Sequence, residues 1–217
     1  MDSPSRFILE NRAWAEEMDQ LQPRFFEQLA GGQQPDVFWI GCADSRVPAE
    51  RITNAAPGEL FVHRSIANLV LHDDNSVMSA LQYAVEQLKV HHLIVCGHDG
   101  CGGVRAALMP EDGAANDEGD ALAQRIRPLR ALYRQHQYEV HGSDARDEEG
   151  LARWVDRLVT LNVASQVRSL ADTATVRAAW RRGHGLRLHG WVYGLRNGRL
   201  REVLTLDART LNLANAA

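Results

Sequence analysis

The chain has 217 residues, 45% of them hydrophobic and 24% charged, which fits one globular domain with a substantial core. A formal net charge of −4 argues against a surface that binds nucleic acid or acidic membranes. The apolar runs are far shorter than the roughly 20 residues that span a bilayer, and the first residues lack a charged-then-apolar signal pattern, so we expect a cytoplasmic protein with no membrane partner.

The first 34 residues are predicted to form a helical arm. Residues 5–21 have a helical pattern, and Pro23 favours a second helix that ends at Gly31. This arm precedes the first predicted strand, and two placements are open: against a neighbouring subunit or against the chain's own core. Residues 35–217 are predicted to form an α/β core, so that the whole chain, 1–217, is a single domain.

Strands and helices alternate along this core. Apolar runs predict strands at 37–41, 60–64, 93–96, 186–195 and 200–206. Helical periodicity predicts helices at 49–54, 75–89, 104–108, 122–136, 151–170 and 175–182. Asn197-Gly198 is a turn signal between the last two strands. The pattern predicts an α/β fold: a mainly parallel central sheet with an antiparallel edge strand, flanked by helices.

The two polar stretches at 109–121 and 137–150 carry no core periodicity. We expect both to be exposed, and no catalytic role is assigned to either.

The cysteine content favours metal binding over a disulfide scaffold. Only Cys42, Cys96 and Cys101 are present, an odd and small number for a chain of this length. Cys96 lies inside an apolar run and is interpreted as a small buried hydrophobic residue.

Chemically active side chains follow the first and third predicted strands: Cys42, Asp44, Arg46, His98 and Cys101. The first three are spaced by two, so an extended chain would present them on one face. If the two strands are neighbours in a parallel sheet, the two thiolates, the imidazole and the carboxylate of Asp44 meet where such sheets bind ligands. Two thiolates and an imidazole suit Zn²⁺, and three such ligands with an exchangeable fourth position are typical of a catalytic site.

A structural zinc site is the alternative. Such sites are normally closed by four Cys or His ligands. Here the fourth candidate is Asp44, with Arg46 two residues away, which suits a gate better than a permanent clamp. The catalytic interpretation is therefore preferred.

Four separated blocks of sequence resemble the β-class carbonic anhydrases, in particular their bacterial, bicarbonate-regulated (type II-like) subgroup. They are residues 39–48 (WIGCADSRVP), 57–64 (PGELFVHR), 97–103 (GHDGCGG) and 189–194 (HGWVYG). The resemblance implies a mainly parallel sheet flanked by helices, one Zn²⁺ per subunit, and homodimers that often pair into homotetramers. The implied activity is reversible hydration of CO₂ to bicarbonate and a proton by a zinc-bound hydroxide.

The resemblance also implies roles for two groups of residues. Cys42, His98 and Cys101 are expected to bind zinc. Arg46 is expected to hold Asp44 off the metal in the active state, where Asp44 accepts a hydrogen bond from the hydroxide. In an inactive state Asp44 is expected to replace the hydroxide on zinc.

Two further sets of residues match pockets of the family. A non-catalytic bicarbonate pocket is expected at Trp39, Gly41, Val47, Arg64 and Tyr193, with an ordinary packed core as the alternative. Bicarbonate there would favour the state in which Asp44 is on the zinc. The walls of the CO₂ site are expected at Phe61, Ile66 and Tyr83, and core packing is again the alternative.

Other functions remain open at this stage. A COS or CS₂ hydrolase on the same scaffold would act on linear substrates that resemble CO₂. A non-catalytic bicarbonate- or zinc-sensing protein, locked with Asp44 on the metal, is a second alternative, and a redox switch between Cys42 and Cys101 is a third. Asp99 is interpreted as a solvated turn residue beside the site.

Overall fold

The computed structural model describes residues 2–110 and 120–211. Most of the predicted loop 109–121 therefore lies outside the described residues. Contacts divide the chain into two units, Met1–Gln34 and Pro35–Ala217, which are described separately. No helix within the described ranges is long and apolar enough to cross a membrane.

The first unit consists of two helices, α1 (Ser3–Leu21) and α2 (Phe25–Ala30). The side chain of Asp2 caps α1 by accepting a hydrogen bond from the backbone N–H of Ser5 at 3.0 Å. The second helix begins two residues after Pro23. Within the unit, Trp14 packs edge-on against the ring of Phe26, with ring centroids 5.7 Å apart.

The second unit is built on a five-stranded sheet with the order β2-β1-β3-β4-β5. Its strands are β1 (Val37–Cys42), β2 (Leu60–Ser65), β3 (His92–His98), β4 (Arg187–Gly194) and β5 (Arg199–Leu206). The first four strands are parallel and β5 is antiparallel to β4. The predicted fold class is confirmed.

Helices connect and flank these strands. They are α3 (Ala49–Thr53), α4 (Asn75–Gln82), α5 (Gly102–Leu108), α6 (Ala121–Gln135), α7 (Gln137–His141), α8 (Glu148–Asp172) and α9 (Ala174–Arg181). The single helix predicted at 75–89 is α4 followed by a wider π-helical segment, Tyr83–Leu88. A short 3₁₀ turn, Ile66–Asn68, follows β2 directly.

The expectation that 137–150 is an exposed stretch is wrong in part. Residues 137–141 form α7, and Val140 is fully buried. Asp144 binds the guanidinium groups of Arg153, at 2.8 Å, and Arg157, so this carboxylate ties the stretch to α8. Val140 is the one buried apolar side chain in this stretch, and a single buried position gives no periodic signal, although these contacts order the backbone.

Both faces of the sheet are apolar, as expected for parallel strands covered on both sides. Phe38, Ile40 and Leu93 belong to a core that α4, α8 and α9 help to form. The opposite face carries Trp39 and Ile94. Because β1 and β3 are parallel neighbours, their carboxyl ends meet at one edge of the sheet, and the chemically active residues lie there.

Candidate metal centre

The register of the sheet brings the two predicted halves of the site together. Gly41 on β1 is opposite Cys96 on β3, so Cys42 and His98 end adjacent strands at the same edge. After β3 the chain turns at Gly100, whose φ of +63° is a left-handed conformation that glycine adopts without steric cost. This turn brings Cys101 back towards the end of β1.

Three donor side chains converge there. Ligand atoms of Cys42, His98 and Cys101 all lie within 4.8 Å of one another, and all three residues are buried. The two Sγ atoms are 3.9 Å apart, well beyond the length of a disulfide bond, and both cysteines are free. This distance suits two sulfur ligands of a single tetrahedral ion.

The histidine is oriented for metal binding. Its Nδ1–H donates to the backbone carbonyl of Asp99 at 3.0 Å, which leaves the Nε2 lone pair directed at the cluster. This buried Nε2 has no hydrogen-bond partner among the residues that the structure describes. An unpaired buried nitrogen is costly unless a ligand satisfies it, and a zinc ion would do so.

The electrostatics of the two thiols point the same way. A hydrogen bond from Cys101 lowers the pKa of Cys42 to about 4, and the same bond, together with burial, raises the pKa of Cys101. Burial is the largest influence on the pKa of His98 and lowers it, but the hydrogen bond and charge of Cys42, together with Asp99 and Asp44, raise the pKa overall. Two thiolates at this spacing repel each other, and a cation bound between them would offset that repulsion. The donor set therefore fits Zn²⁺.

Asp44 and Arg46 meet in a turn. Expecting an extended chain here was wrong, because β1 ends at Cys42 and the backbone N–H of Arg46 folds back onto Asp44 Oδ1 at 2.9 Å. The guanidinium then makes two further bonds, from Nε to Oδ1 at 2.9 Å and from Nη2 to Oδ2 at 2.7 Å. These bonds hold the pKa of Asp44 well below its usual range. Asp44 Oδ2 lies 3.7 Å from His98 Nε2.

Arg64 links the expected bicarbonate pocket to this turn. Its Nε donates to the backbone carbonyl of Cys42 at 2.9 Å, and its Nη2 donates to that of Asp44. The indole Nε1 of Trp39 lies over Gly41, where an added Cβ would be only 2.7 Å from it. Any larger residue at position 41 would displace the indole.

The other expected members of this pocket lie nearby. By strand register, Tyr193 on β4 pairs with His98 and shares the face of Trp39, Gly41 and Arg64. Val47 is buried in the turn after β1.

The three expected wall residues are divided between two places. The rings of Phe61 and Tyr83 pack together with centroids 5.7 Å apart, and Phe61 also packs on Phe38 in the core. Ile66 opens the 3₁₀ turn after β2, five residues beyond Phe61, and is 40% exposed. Of the three, Ile66 is the one beside the donor loop, because an added Cβ on Gly103 would be 2.8 Å from its Cγ2.

Sequence reasoning missed the contribution of α8. Asp156 Oδ1 accepts a hydrogen bond from the backbone N–H of Gly100 at 2.9 Å, in the middle of the donor loop. Asp99, expected to be a solvated turn residue, lies in the turn after β3 and is partly exposed, and its pKa is raised by burial and by the nearby charge of Asp156. An acidic residue on a helix gives no local signal for such a contact across 56 residues.

Both the sequence and the structure of this chain are similar to those of known proteins. A family model described as "Carbonic anhydrase" matches residues 37–200. A carbonic anhydrase of Emericella nidulans is 44% identical over 193 residues, which are 89% of this chain and 80% of that protein. A carbonic anhydrase of Pseudomonas aeruginosa is 34% identical over 88% of this chain and 83% of its own length.

Solved structures agree with these matches. A structure from a study of two tetrameric β-carbonic anhydrases of Sordaria macrospora superposes with a TM-score of 0.85 at 35% identity, covering 95% of this chain and 100% of that one. The β-carbonic anhydrase of Coccomyxa, solved in complex with acetazolamide, gives the same TM-score and identity over 95% of this chain and 89% of its own.

Proposed function

The chain belongs to the β-class carbonic anhydrase family, and we propose that it hydrates CO₂ at one Zn²⁺ per subunit held by Cys42, His98 and Cys101. The observation that carries the zinc assignment is the convergence of three buried donor atoms within 4.8 Å. The unpaired Nε2 of His98 supports it, because only an added ligand satisfies that atom. The reaction of the family is the reversible hydration of CO₂ to bicarbonate and a proton.

The metal would supply acidity: bound Zn²⁺ makes hydroxide available from water near neutral pH. The chain balances the metal's charge, since Cys42 and Cys101 as thiolates cancel the +2. Water at such a site is less acidic than at a site with neutral ligands only. Burial of both cysteines keeps this charge balance shielded from solvent.

Asp44 is proposed to orient the nucleophile, and Arg46 to position Asp44. As a carboxylate with a lowered pKa, Asp44 accepts a hydrogen bond from the attacking hydroxide and so directs an oxygen lone pair at the CO₂ carbon. The two guanidinium bonds and the backbone bond of Arg46 hold it there. If the hydrogen bonds from Arg46 break, the Asp44 carboxylate needs only a short movement to reach the metal site, because its Oδ2 already lies 3.7 Å from His98 Nε2.

Bicarbonate is proposed to act on the Asp44–Arg46 pair through Arg64. The guanidinium of Arg64 binds the backbone carbonyls of Cys42 and Asp44, on either side of Ala43. An anion beside Trp39 and Tyr193 would compete for the same guanidinium, since Arg offers a two-point donor to planar anions. Loss of the hydrogen bonds from Arg64 to those carbonyls would free the turn that holds Asp44 and so inhibit the enzyme. The bicarbonate-regulated subgroup stays a prediction.

Assembly and location are proposed on more general grounds. The Sordaria relatives are described as tetrameric, and this chain covers the whole of the matched structure, so we propose a homodimer or homotetramer. Light scattering on the purified protein distinguishes the two. A cytoplasmic location stays a prediction.

The test is stopped-flow CO₂ hydration by the purified protein, with COS hydrolysis measured side by side and zinc counted by atomic emission. We expect CO₂ hydration well above the uncatalysed rate and one zinc per chain. Turnover of COS without CO₂ hydration would replace this function with the hydrolase, and a metal-free protein of full activity would refute the zinc site.

A further inference from the structure

The longest helix carries a buried polar stripe towards its carboxyl-terminal half. Asn162, Gln166 and Ser169 on α8 are spaced four and three residues apart, so they lie on one face of the helix. Asn162 is fully buried and Gln166 is 6% exposed, among the valines and leucines of the core. Buried amides are retained where their hydrogen bonds are satisfied, so their partners show what the stripe does.

All three side chains bind the backbone that follows β2. Asn162 Nδ2 donates to the carbonyl of Ala67 at 3.0 Å, and Gln166 Oε1 accepts from the N–H of Val70 at 2.9 Å. Gln166 Nε2 donates to Asn162 Oδ1 at 2.9 Å, which fixes the orientation of both amides. Ser169 Oγ donates to the carbonyl of Val70 at 3.2 Å. The three side chains therefore hold residues 67–70 by three hydrogen bonds to the backbone.

The backbone of residues 67 and 68, within this segment, has an unfavourable conformation. Ala67 (φ 55°, ψ 30°) and Asn68 (φ 49°) are both left-handed, and neither is glycine. Alanine resists this region because its Cβ approaches the carbonyl oxygen. Such residues persist where the surroundings hold them in place. The hydrogen bond from Asn162 to the Ala67 carbonyl is made directly to the left-handed residue.

This turn lies against both ends of the loop that carries two of the metal donors. An added Cβ on Gly97, just before His98, would be 3.5 Å from Asn68 Oδ1. An added Cβ on Gly103, two residues after Cys101, would be 2.8 Å from Ile66 Cγ2 and 3.3 Å from Ala67 Cβ. Glycine at these two positions lets the turn and the donor loop touch directly, so a shift of the turn moves Ile66 relative to the donors.

We propose that Asn162 and Gln166 are positioning residues for CO₂ hydration, which hold the left-handed Ala67–Asn68 turn and thereby place Ile66 against the metal loop. This inference rests on the proposed function and on Ile66 as a wall of the CO₂ site. Neither amide touches substrate. Their loss lets the turn relax towards a right-handed conformation, which displaces Ile66 and weakens CO₂ binding before it affects metal binding.

The test compares two substitutions that each remove two buried side-chain hydrogen bonds. Asn162→Leu removes the bond to the carbonyl of Ala67 and the bond from Gln166 Nε2, at similar volume. Thr173→Val removes the buried cap of α9, where Thr173 Oγ1 accepts from the N–H of Val176 and donates to the carbonyl of Leu170, without touching residues 66–70. For each we measure zinc content, and kcat and KM for CO₂ per bound zinc. Asn162→Leu is expected to raise KM about threefold or more with kcat per zinc within about twofold, and Thr173→Val to leave KM unchanged.

An unchanged KM in Asn162→Leu overturns the proposal. An equal rise in Thr173→Val overturns it too, because the effect would then follow from the loss of any buried hydrogen bond on this side of the sheet and not from the contact with Ala67. Ala67→Gly, added to Asn162→Leu, is expected to bring KM back to that of Ala67→Gly alone, since glycine adopts the left-handed turn freely. A KM that stays raised in this double variant also overturns the proposal.

If Asn162→Leu does not fold, Gln166→Met, which removes the bonds to the N–H of Val70 and to Asn162 Oδ1 at similar volume, is used in its place. It is expected to give a smaller rise in KM, and an unchanged KM is again contrary to the proposal. A wild-type protein without CO₂ hydration would refute the proposed function, whereas an active wild type with unaffected variants refutes only the positioning role.

Discussion

Arg46 binds Asp44 through both its side chain and its backbone, and this pair stands directly beside the candidate metal ligands. Two guanidinium nitrogens lie 2.9 and 2.7 Å from the two carboxylate oxygens, and the backbone N–H adds a third bond at 2.9 Å. These bonds keep the Asp44 carboxylate ionised and fix its orientation, with Oδ2 3.7 Å from His98 Nε2. In the proposed mechanism, Arg46 decides whether Asp44 orients the nucleophile or binds the metal.

Replacement of Arg46 by alanine is expected to lower kcat/KM for CO₂ about 10²-fold with zinc content unchanged, because the freed carboxylate loses its catalytic orientation. Arg46→Lys keeps the positive charge but cannot bind both carboxylate oxygens in the same geometry, so its kcat/KM should lie between those of Arg46→Ala and the wild type. Stopped-flow assays with metal analysis check this. Full activity in Arg46→Ala would show that Asp44 needs no partner.

Cys42→Ser is expected to abolish stoichiometric zinc binding and CO₂ hydration, because a hydroxyl replaces the thiolate ligand. Cys96→Ala is the matched control. Cys96 is buried one strand away, and burial raises its pKa to about 12, so it stays a neutral thiol outside the donor cluster. Cys96→Ala should keep the zinc content per chain and the activity of the wild type. Retention of both by Cys42→Ser would disprove the site.

The rate of CO₂ hydration is expected to rise from about pH 6 to about pH 9, because two thiolates balance the metal's charge and leave its water less acidic. The measurement is the pH profile of kcat in buffers of constant ionic strength. A flat profile over this range would contradict a Cys-His-Cys zinc site of this kind.

Arg64→Ala is expected to remove inhibition by bicarbonate, since Arg64 is the residue that joins the proposed anion pocket to the backbone at Cys42 and Asp44. The quantity compared is the ratio of activities with and without bicarbonate at low pH, which is independent of any change in basal rate. Arg51→Ala, on the exposed side of α3, is the control and should keep the wild-type ratio. Equal inhibition in Arg64→Ala and wild type would exclude this pocket.

A histidine pair should make the fold sensitive to acid. His92 Nδ1 and His189 Nε2 are 3.1 Å apart, so one ring must be neutral to accept the bond. Burial, and then the charge of His92, lower the pKa of His189, and burial also lowers the pKa values of His63 and His184. A histidine with a lowered folded-state pKa contributes stability above its unfolded pKa of about 6.5, and this stability is lost as the pH falls towards the folded value.

We therefore expect the urea midpoint to fall between about pH 7.5 and about pH 5, and His189→Gln to reduce that fall. The same substitution at His136, between α6 and α7 and outside the sheet, should leave the pH dependence as in the wild type. If both variants show the wild-type fall, the pair is not responsible.

The strands and most helices were predictable because each is a contiguous apolar run or a periodic segment. The predicted strand at 37–41 is β1 (Val37–Cys42), and that at 60–64 is β2 (Leu60–Ser65). The helix α7 was missed because Val140 is one apolar residue in a polar stretch, and its order depends on contacts with α8. The π-helical end of α4 was missed because its spacing differs little from that of an α-helix.

The donor residues themselves are local features of the sequence: Cys42 closes one apolar run, and the glycines around His98 and Cys101 mark a tight loop after another. Residue type and strand polarity were enough to predict that these side chains meet, because the carboxyl ends of neighbouring parallel strands share one edge. The support of that edge was decided by tertiary structure alone. Asp156 reaches Gly100, and Asn162 reaches Ala67, across 56 and 95 residues, and no local pattern encodes contacts that exist only once α8 packs on the sheet.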